Sequence, residues 1–125
     1  MENAKSLDKS MILRVMIQDI NKKRHPMEIK TDHLKDYNSP EKLTLKGNDK
    51  IHKPDMIVVY DKETHLYEVE LDRKMETEKW KLYSLYARKN NGNFYLIVPD
   101  WLCDPVKDRL KEEKIDAGLI YFNTN

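Results

Sequence analysis

Two segments that are separated by only four residues carry a clear strand signal. Asp55–Tyr60 is a near-continuous apolar run rich in β-branched side chains, and His65–Asp72 alternates strictly between two faces. A continuous apolar run is typical of a central strand that is covered on both faces, whereas alternation places every second residue on one face. The polar turn Asp61–Thr64 is short enough to join the two segments as an antiparallel hairpin. This hairpin predicts a sheet with both faces buried.

The flanking segments predict helices around this hairpin. Apolar residues three or four apart indicate helices, and alternating or continuous apolar runs indicate further strands. Ser6 or Asp8 is expected to cap the first helix and Asp104 the third. The predicted helices are Met11–Lys23, Glu76–Arg88 and one from Asp104 to about Lys114, and the further extended segments are Met27–Lys30, Leu43–Leu45, Asn93–Val98 and Gly118–Phe122. The strand–helix–strand unit over 65–98 should cross over right-handed, which makes its two strands parallel and the sheet mixed.

Length and composition bound the class of protein. A chain of 125 residues with 39% hydrophobic and 36% charged residues predicts a single α/β domain over residues 1–125. One cysteine, Cys103, excludes an internal disulfide and suits a reducing compartment. No apolar run approaches the roughly 20 residues that cross a bilayer, and the first residues lack the apolar core of a signal peptide. These features predict a cytoplasmic protein with no membrane partner.

The charged residues are unevenly distributed along the chain. The net charge is +1, but residues 55–78 carry three Lys/Arg against eight Asp/Glu, and the segments on either side carry an excess of Lys and Arg. An acidic centre between basic flanks is what a divalent-metal site within a polyanion-binding surface needs. A solvated surface of mixed charge produces the same distribution, so both interpretations stay open.

Three carboxylates stand where carboxylates are unexpected. Asp55 begins the most apolar run of the chain, and Glu68 and Glu70 share one face of an otherwise apolar strand. Like charges on one face repel each other, and a hard divalent cation such as Mg²⁺ or Mn²⁺ would remove that repulsion because such ions prefer carboxylate oxygens. The alternative is an edge strand with an acidic outer face, with Asp55 a turn residue after Pro54.

The order of these parts resembles the PD-(D/E)XK nuclease superfamily, which has a restriction-endonuclease-like fold. Pro54-Asp55 starts one strand, Glu68-Val69-Glu70 lies on the next, and a helix follows. The resemblance implies an αβββαβ core over residues 8–98, with a mixed sheet flanked by helices and a terminal helix and strand appended. It also implies that Asp55 and Glu68 bind one or two Mg²⁺ ions, with Glu70 beside them.

The sequence departs from the family pattern at one position. The lysine of the motif, two residues after the Glu, is Glu70 in this chain. In some relatives the following helix supplies the lysine, so the resemblance offers Lys79 or Lys81. These two diverge by about 200° on a helix, so at most one of them faces the site, and Lys81 is the prediction. A second register resembles small nuclease-like proteins of mobile elements and plasmids, with Glu70 and Asp72 as the acidic pair and Lys81 as the basic partner.

Two functions follow from this pattern. The first is a metal-dependent DNA endonuclease or nuclease subunit that uses Asp55, Glu68, Glu70 and Lys81 with Mg²⁺ or Mn²⁺, and a homodimer or a larger protein partner would have to supply specificity. The alternative is a catalytically inactive, nuclease-fold module of a mobile element that binds DNA or protein, with Glu70 marking a lost active site. An unrelated α/β interaction protein is a third interpretation. The aromatic residues of the second predicted helix are expected to pack in the core; they are Trp80, Tyr83 and Tyr86.

Overall fold

The computed structural model describes residues 8–44 and 50–124, which form three α-helices and one five-stranded sheet. The helices are α1 (Lys9–Lys23), α2 (Thr77–Lys89) and α3 (Cys103–Glu113), and a 3₁₀ turn over Asp100–Leu102 leads into α3. The strands are β1 (Glu28–Lys30), β2 (Met56–Val59), β3 (Thr64–Val69), β4 (Phe94–Pro99) and β5 (Gly118–Phe122). Within these residues, no helix has the length and apolar content to cross a bilayer.

The strands lie side by side in the order in which they occur in the chain. β1, β2 and β3 are antiparallel neighbours, and β3, β4 and β5 are parallel neighbours. The predicted hairpin is confirmed, with Met56 opposite Tyr67 in its register. The parallel pairing of the two strands that flank α2 is also confirmed, so the chain has an α/β fold with a mixed sheet.

Each face of the sheet is covered by helices. On one face, Leu66 of β3 packs with Trp80 of α2 and Val106 of α3 in one buried cluster. On the other face, Val69 of β3 packs with Leu13 of α1 in a second cluster. The predicted alternation of β3 is therefore confirmed, because successive residues of the strand point to opposite faces of the sheet.

Several predicted boundaries move in the structure. Asp8 caps α1, because its Oδ1 accepts a 3.1 Å hydrogen bond from the backbone N–H of Met11. The alternative cap, Ser6, lies outside the described residues. The prediction that Asp104 caps the third helix is wrong: α3 begins at Cys103, and Asp104 lies in its first turn, where a negative charge favours the helix dipole.

Two predicted strands are shorter than expected. In the segment predicted as Leu43–Leu45, Leu43 forms an isolated antiparallel bridge with His52, Thr44 is not in a strand, and Leu45 lies outside the described residues. β3 ends at Val69 rather than at Asp72. The backbone N–H of Glu70 still donates a 3.0 Å hydrogen bond to the carbonyl of Ile97, so Glu70 stays attached to the end of the parallel ladder.

Candidate functional site

Asp55 and Glu68 lie next to each other where β2 begins and β3 ends. Asp55 directly precedes β2, and the hairpin register brings it beside the last two residues of β3. Its backbone N–H donates to Glu68 Oε1 at 3.0 Å, and the backbone N–H of Val69 donates to Asp55 Oδ2 at 2.8 Å. Asp55 is 6% exposed and Glu68 is 2% exposed. Two carboxylates are thus buried side by side, which requires compensation by protons or cations.

Two residues that the sequence did not single out contact Asp55. Lys9, the first residue of α1, places its Nζ 3.2 Å from Oδ1 and 3.0 Å from Oδ2. His33, in the segment after β1, places its Nε2 2.9 Å from Oδ1. The Thr31 hydroxyl fixes this segment, because it donates to the Asp55 carbonyl at 2.7 Å and accepts from the His33 backbone N–H at 3.1 Å. Asp55 therefore receives two cationic or polar neighbours on its solvent side.

Lys79 of α2 is the lysine that reaches the predicted carboxylates. Its Nζ lies 2.8 Å from Glu68 Oε2 and 3.5 Å from Glu70 Oε2, and a third contact of 3.2 Å joins it to Glu76. The indole N–H of Trp80 donates to Glu70 Oε2 at 2.9 Å. One turn of α2 therefore supplies both donors that hold the end of β3.

The structure corrects the choice of Lys81. Its Nζ pairs with Glu113 of α3 at 2.9 Å, and its side chain is 48% exposed, because it follows Lys79 by two positions and so lies on another face of α2. Asp72, the acidic residue of the alternative register, is exposed and accepts from the Lys74 backbone N–H at 2.8 Å. The structure therefore joins Asp55, Glu68, Glu70 and Lys79, and leaves Asp72 and Lys81 outside that group.

Burial sets the electrostatics of this group. Burial, followed by the neighbouring Asp55 charge, raises the pKa of Glu68 to about 7 against the opposing charge of Lys79. Burial likewise raises the pKa of Glu70. Burial alone would lower the pKa of Lys79, but the Glu68 and Glu70 charges outweigh it and the net shift is upward. The lysine therefore stays charged at neutral pH, while Glu68 exchanges its proton near neutrality.

Tyr83 is a further member of the site that the sequence assigned only to core packing. It is fully buried and packs edge-on against Phe94, as expected. Among the described residues, however, its hydroxyl has no hydrogen-bond partner. Burial raises the pKa of Tyr83, and the charges of Glu68 and Asp55 raise it as well. The four-residue spacing from Lys79 places both on one face of α2 and is the signal that could have found Tyr83.

The carboxylates of the site are the ligand type that a hard divalent cation takes. Across residues 8–44 and 50–124, no three His, Cys, Asp or Glu side chains are arranged to enclose a metal ion. Mg²⁺, however, keeps several waters and needs only one or two protein carboxylates together with a substrate phosphate. Asp55 and Glu68 provide that pair. The chemistry of these residues fits a hard, partly hydrated cation.

Comparison with known proteins assigns no family to the chain. No family model, no curated protein and no solved structure matches it. An α/β fold by itself hosts many unrelated functions, so function has to be argued from the residues of the site. The buried pair Asp55 and Glu68, with Lys79 beside it, is the arrangement that carries chemical information.

Proposed function

We propose that the chain is a metal-dependent DNA endonuclease, or the nuclease subunit of a larger assembly, of the PD-(D/E)XK type. The observation that supports this most is the buried pair of carboxylates with a lysine 2.8 Å from Glu68 Oε2. A purely structural role would not require burying two adjacent carboxylates, because apolar residues of similar size stabilise such a position at least as well. Ionisable groups are often found at functional sites when burial and a specific charged neighbour shift their pKa.

The order of elements supports the same proposal. The family resemblance implies a helix, a three-stranded meander, a crossover helix and a further strand. The elements α1, β1, β2, β3, α2 and β4 follow one another in that order. α3 and β5 then form the appended terminal helix and strand. In this arrangement Asp55 opens the middle strand of the meander and Glu68 lies near the end of the third, as in the family motif.

Asp55 and Glu68 are the residues that would hold Mg²⁺ or Mn²⁺. When bound, the cation would polarise a phosphoryl oxygen and lower the pKa of a coordinated water. The sequence suggested Glu70 as a third metal ligand, but in this proposal Glu70 positions Lys79 instead. Its Oε2 accepts from Trp80 and lies 3.5 Å from Lys79, so it orients the lysine.

The remaining residues supply charge and proton positions. Phosphodiester hydrolysis forms a bond from a water oxygen to phosphorus and breaks the bond to the leaving sugar oxygen, so one proton must leave the water and one must reach the leaving oxygen. Lys79 keeps a positive charge in a buried site, where it stabilises negative charge that develops on the phosphoryl oxygens. Without the metal, burial and the Asp55 charge raise the pKa of Glu68 to about 7, so a cation that binds Glu68 would displace its proton.

The direct test is cleavage of plasmid DNA. The purified protein is incubated with supercoiled plasmid and Mg²⁺ or Mn²⁺, beside an Asp55→Asn variant of nearly the same shape and a reaction with EDTA. We expect nicked or linear DNA only with wild-type protein and metal. Equal conversion by Asp55→Asn, after the same purification, would show that the activity belongs to a contaminant and would remove the assignment.

The contacts that Asp55 and Glu68 make with basic side chains of the same chain favour a second candidate function. Lys9 and His33 contact Asp55, and Lys79 contacts Glu68, so the chain itself supplies partners for both carboxylates. This arrangement suits an inactive relative that keeps the fold and binds DNA or protein. Such a protein gains no stability from Mn²⁺, because only an ion bound to the folded state raises its melting temperature. A rise in melting temperature with Mn²⁺ that Glu68→Gln abolishes would decide in favour of the nuclease.

A further inference from the structure

A cleft of about 740 Å³ lies between α1 and the segment that follows β1. Asp55 and Glu68 do not line this cleft, but His33, which contacts Asp55, does. The polar lining residues of the cleft include Arg14, Gln18, Asn21, His33, Lys35 and Tyr37.

One wall of the cleft is a polar stripe of α1. Ser10, Arg14 and Gln18 follow one another at intervals of four residues, so they lie on one face about 6 Å apart. The core face of the same helix is formed by Leu13 and Ile20, which are buried. The polar stripe is therefore not needed to attach α1 to the sheet, and its side chains are available to a ligand.

The cleft carries positive charge that other residues do not neutralise. Within the part of the chain that the structure describes, Arg14 and Lys35 form no ion pair, whereas Lys9, Lys30 and Lys53 each do. The lining contains a single carboxylate, Asp36. The lining thus carries two cations against one carboxylate, and this excess of positive charge favours an anionic ligand.

The second wall of the cleft is held in place by hydrogen bonds. The backbone N–H of Thr31 donates to the Asn38 carbonyl at 2.9 Å, which closes the segment into a loop. Within this loop Asp36 adopts a left-handed backbone with φ of 73°, a conformation that is sparsely populated by residues other than glycine. Asp tolerates this conformation better than most residues, so it is compatible with the closed loop.

His33 connects the cleft to the candidate site. Its imidazole lines the cleft, and its Nε2 lies 2.9 Å from Asp55 Oδ1. A chain molecule lying along the α1 stripe would thus reach the carboxylates at the His33 end. Tyr37, on the same wall, lines the cleft and is 37% exposed.

We propose that this cleft binds one single strand of nucleic acid and leads it to Asp55 and Glu68. Arg14 and Lys35 contact backbone phosphates, and Tyr37 stacks on a base. The combination of a basic groove with an aromatic platform is the usual basis of single-strand binding, whereas a duplex is read by elements that enter a groove about 12 Å wide. The proposal rests on the proposed nuclease function, since it defines how substrate enters that site.

Binding without cleavage tests the cleft by itself. The Kd of a fluorescent 12-nucleotide oligothymidine is measured by anisotropy in EDTA over a range of salt concentrations. The double variant Arg14→Gln, Lys35→Gln is compared with Lys107→Gln, Lys111→Gln on α3, a matched loss of two exposed positive charges away from the cleft. We expect the cleft variant to raise the Kd at least about tenfold and to reduce the salt slope by about 1.4, since each phosphate contact on a single strand contributes about 0.7.

Tyr37→Ala provides an independent readout. Loss of one stacked base should raise the Kd by about five- to a hundredfold, with the salt slope unchanged. Melting temperatures of all variants, expected to equal that of the wild type because the altered residues are exposed, show that the fold is intact. The proposal is overturned if the wild type does not bind the oligonucleotide, if both double variants lose affinity equally, or if duplex of the same length binds more tightly.

The outcomes for the two proposals are distinguishable. Cleft-dependent binding by a protein that, with Mg²⁺ or Mn²⁺, cleaves neither plasmid nor single-stranded DNA supports the cleft and removes the nuclease. Metal-dependent cleavage of single-stranded DNA that the Arg14→Gln, Lys35→Gln variant retains in full supports the nuclease and removes the cleft.

Discussion

The backbone N–H of Asp55 donates a 3.0 Å hydrogen bond to Oε1 of Glu68, and both side chains are almost completely buried. The backbone N–H of Val69, the residue after Glu68, donates a 2.8 Å hydrogen bond to Asp55 Oδ2. The hairpin backbone therefore fixes two like-charged groups beside each other. Their repulsion has to be removed by a proton, by Lys79 and Lys9, or by a cation, and each of these can be varied by experiment.

The first prediction concerns stability and pH in the absence of metal. Burial, together with the Asp55 charge, raises the pKa of Glu68 from 4.5 to about 7. The folded state therefore holds this proton more tightly than the unfolded state, so its contribution is complete below pH 4.5 and is lost as the pH rises towards 7. Glu68→Gln keeps the shape without the charge and should unfold less easily than the wild type at pH 8 by about 1–3 kcal/mol.

Urea unfolding in EDTA at pH 5 and pH 8 measures this difference. Glu78→Gln, an exposed change on α2, serves as the control and should follow the wild type at both pH values. If Glu68→Gln loses stability between pH 5 and pH 8 as steeply as the wild type does, Glu68 is not the residue that titrates.

The second prediction separates the two lysines of α2. Lys79→Met removes the cation that contacts Glu68 and should lower metal-dependent cleavage by about 10²–10³-fold, as loss of one group that stabilises transition-state charge does. Lys81→Met removes an exposed contact to Glu113 and should change the rate by less than about twofold. Plasmid-nicking rates of the two variants, compared at equal folded concentration, decide between them. A larger loss for Lys81→Met would restore the original choice.

The third prediction uses the unpaired hydroxyl of Tyr83. Tyr83→Phe deletes a buried group that has no hydrogen-bond partner among the described residues, so the melting temperature should stay the same or rise slightly. If the hydroxyl serves the reaction, cleavage should fall at least about tenfold in the same variant. A variant that is clearly less stable than the wild type would show instead that the hydroxyl is bonded within the fold.

The fourth prediction concerns the turn that joins α2 to β4. A Cβ at Gly92 would stand 1.8 Å from the carbonyl oxygen of Thr64, at the start of β3, so Gly92→Ala must move backbone. We expect a loss of about 2–4 kcal/mol in the free energy of unfolding. Gly118→Ala meets the ring of Tyr95 at 2.5 Å instead of backbone, and should lose less because a side chain shifts more easily than the backbone of a paired strand. Thermal unfolding of both variants tests this, and equal losses would contradict it.

The sequence predicted the parts of this fold that depend on local patterns. The hairpin, the crossover helix and the last strand, Gly118–Phe122, are set by alternation, spacing and turn residues within short windows. The carboxylates Asp55 and Glu68 could be found in the same way, because they interrupt apolar strands.

The remaining parts of the site depend on packing between distant elements. Whether Lys79 or Lys81 faces the carboxylates is decided by how α2 rotates when Trp80 enters the core, which periodicity alone does not fix. Lys9 and His33 reach Asp55 across long sequence separations, and no local pattern marks either of them.

The sequential order of the strands has a kinetic consequence. Each strand after the first is added at the edge of the strand that precedes it in the chain, so no strand must insert between two that are already paired. Contacts of low sequence separation favour rapid folding. The β2–β3 hairpin, which carries Asp55 and Glu68, needs only a four-residue turn to close and is the expected folding nucleus. High φ-values in this hairpin and low ones in α1 would bear out that order, in which the carboxylate pair forms before the helix that supplies Lys9 docks.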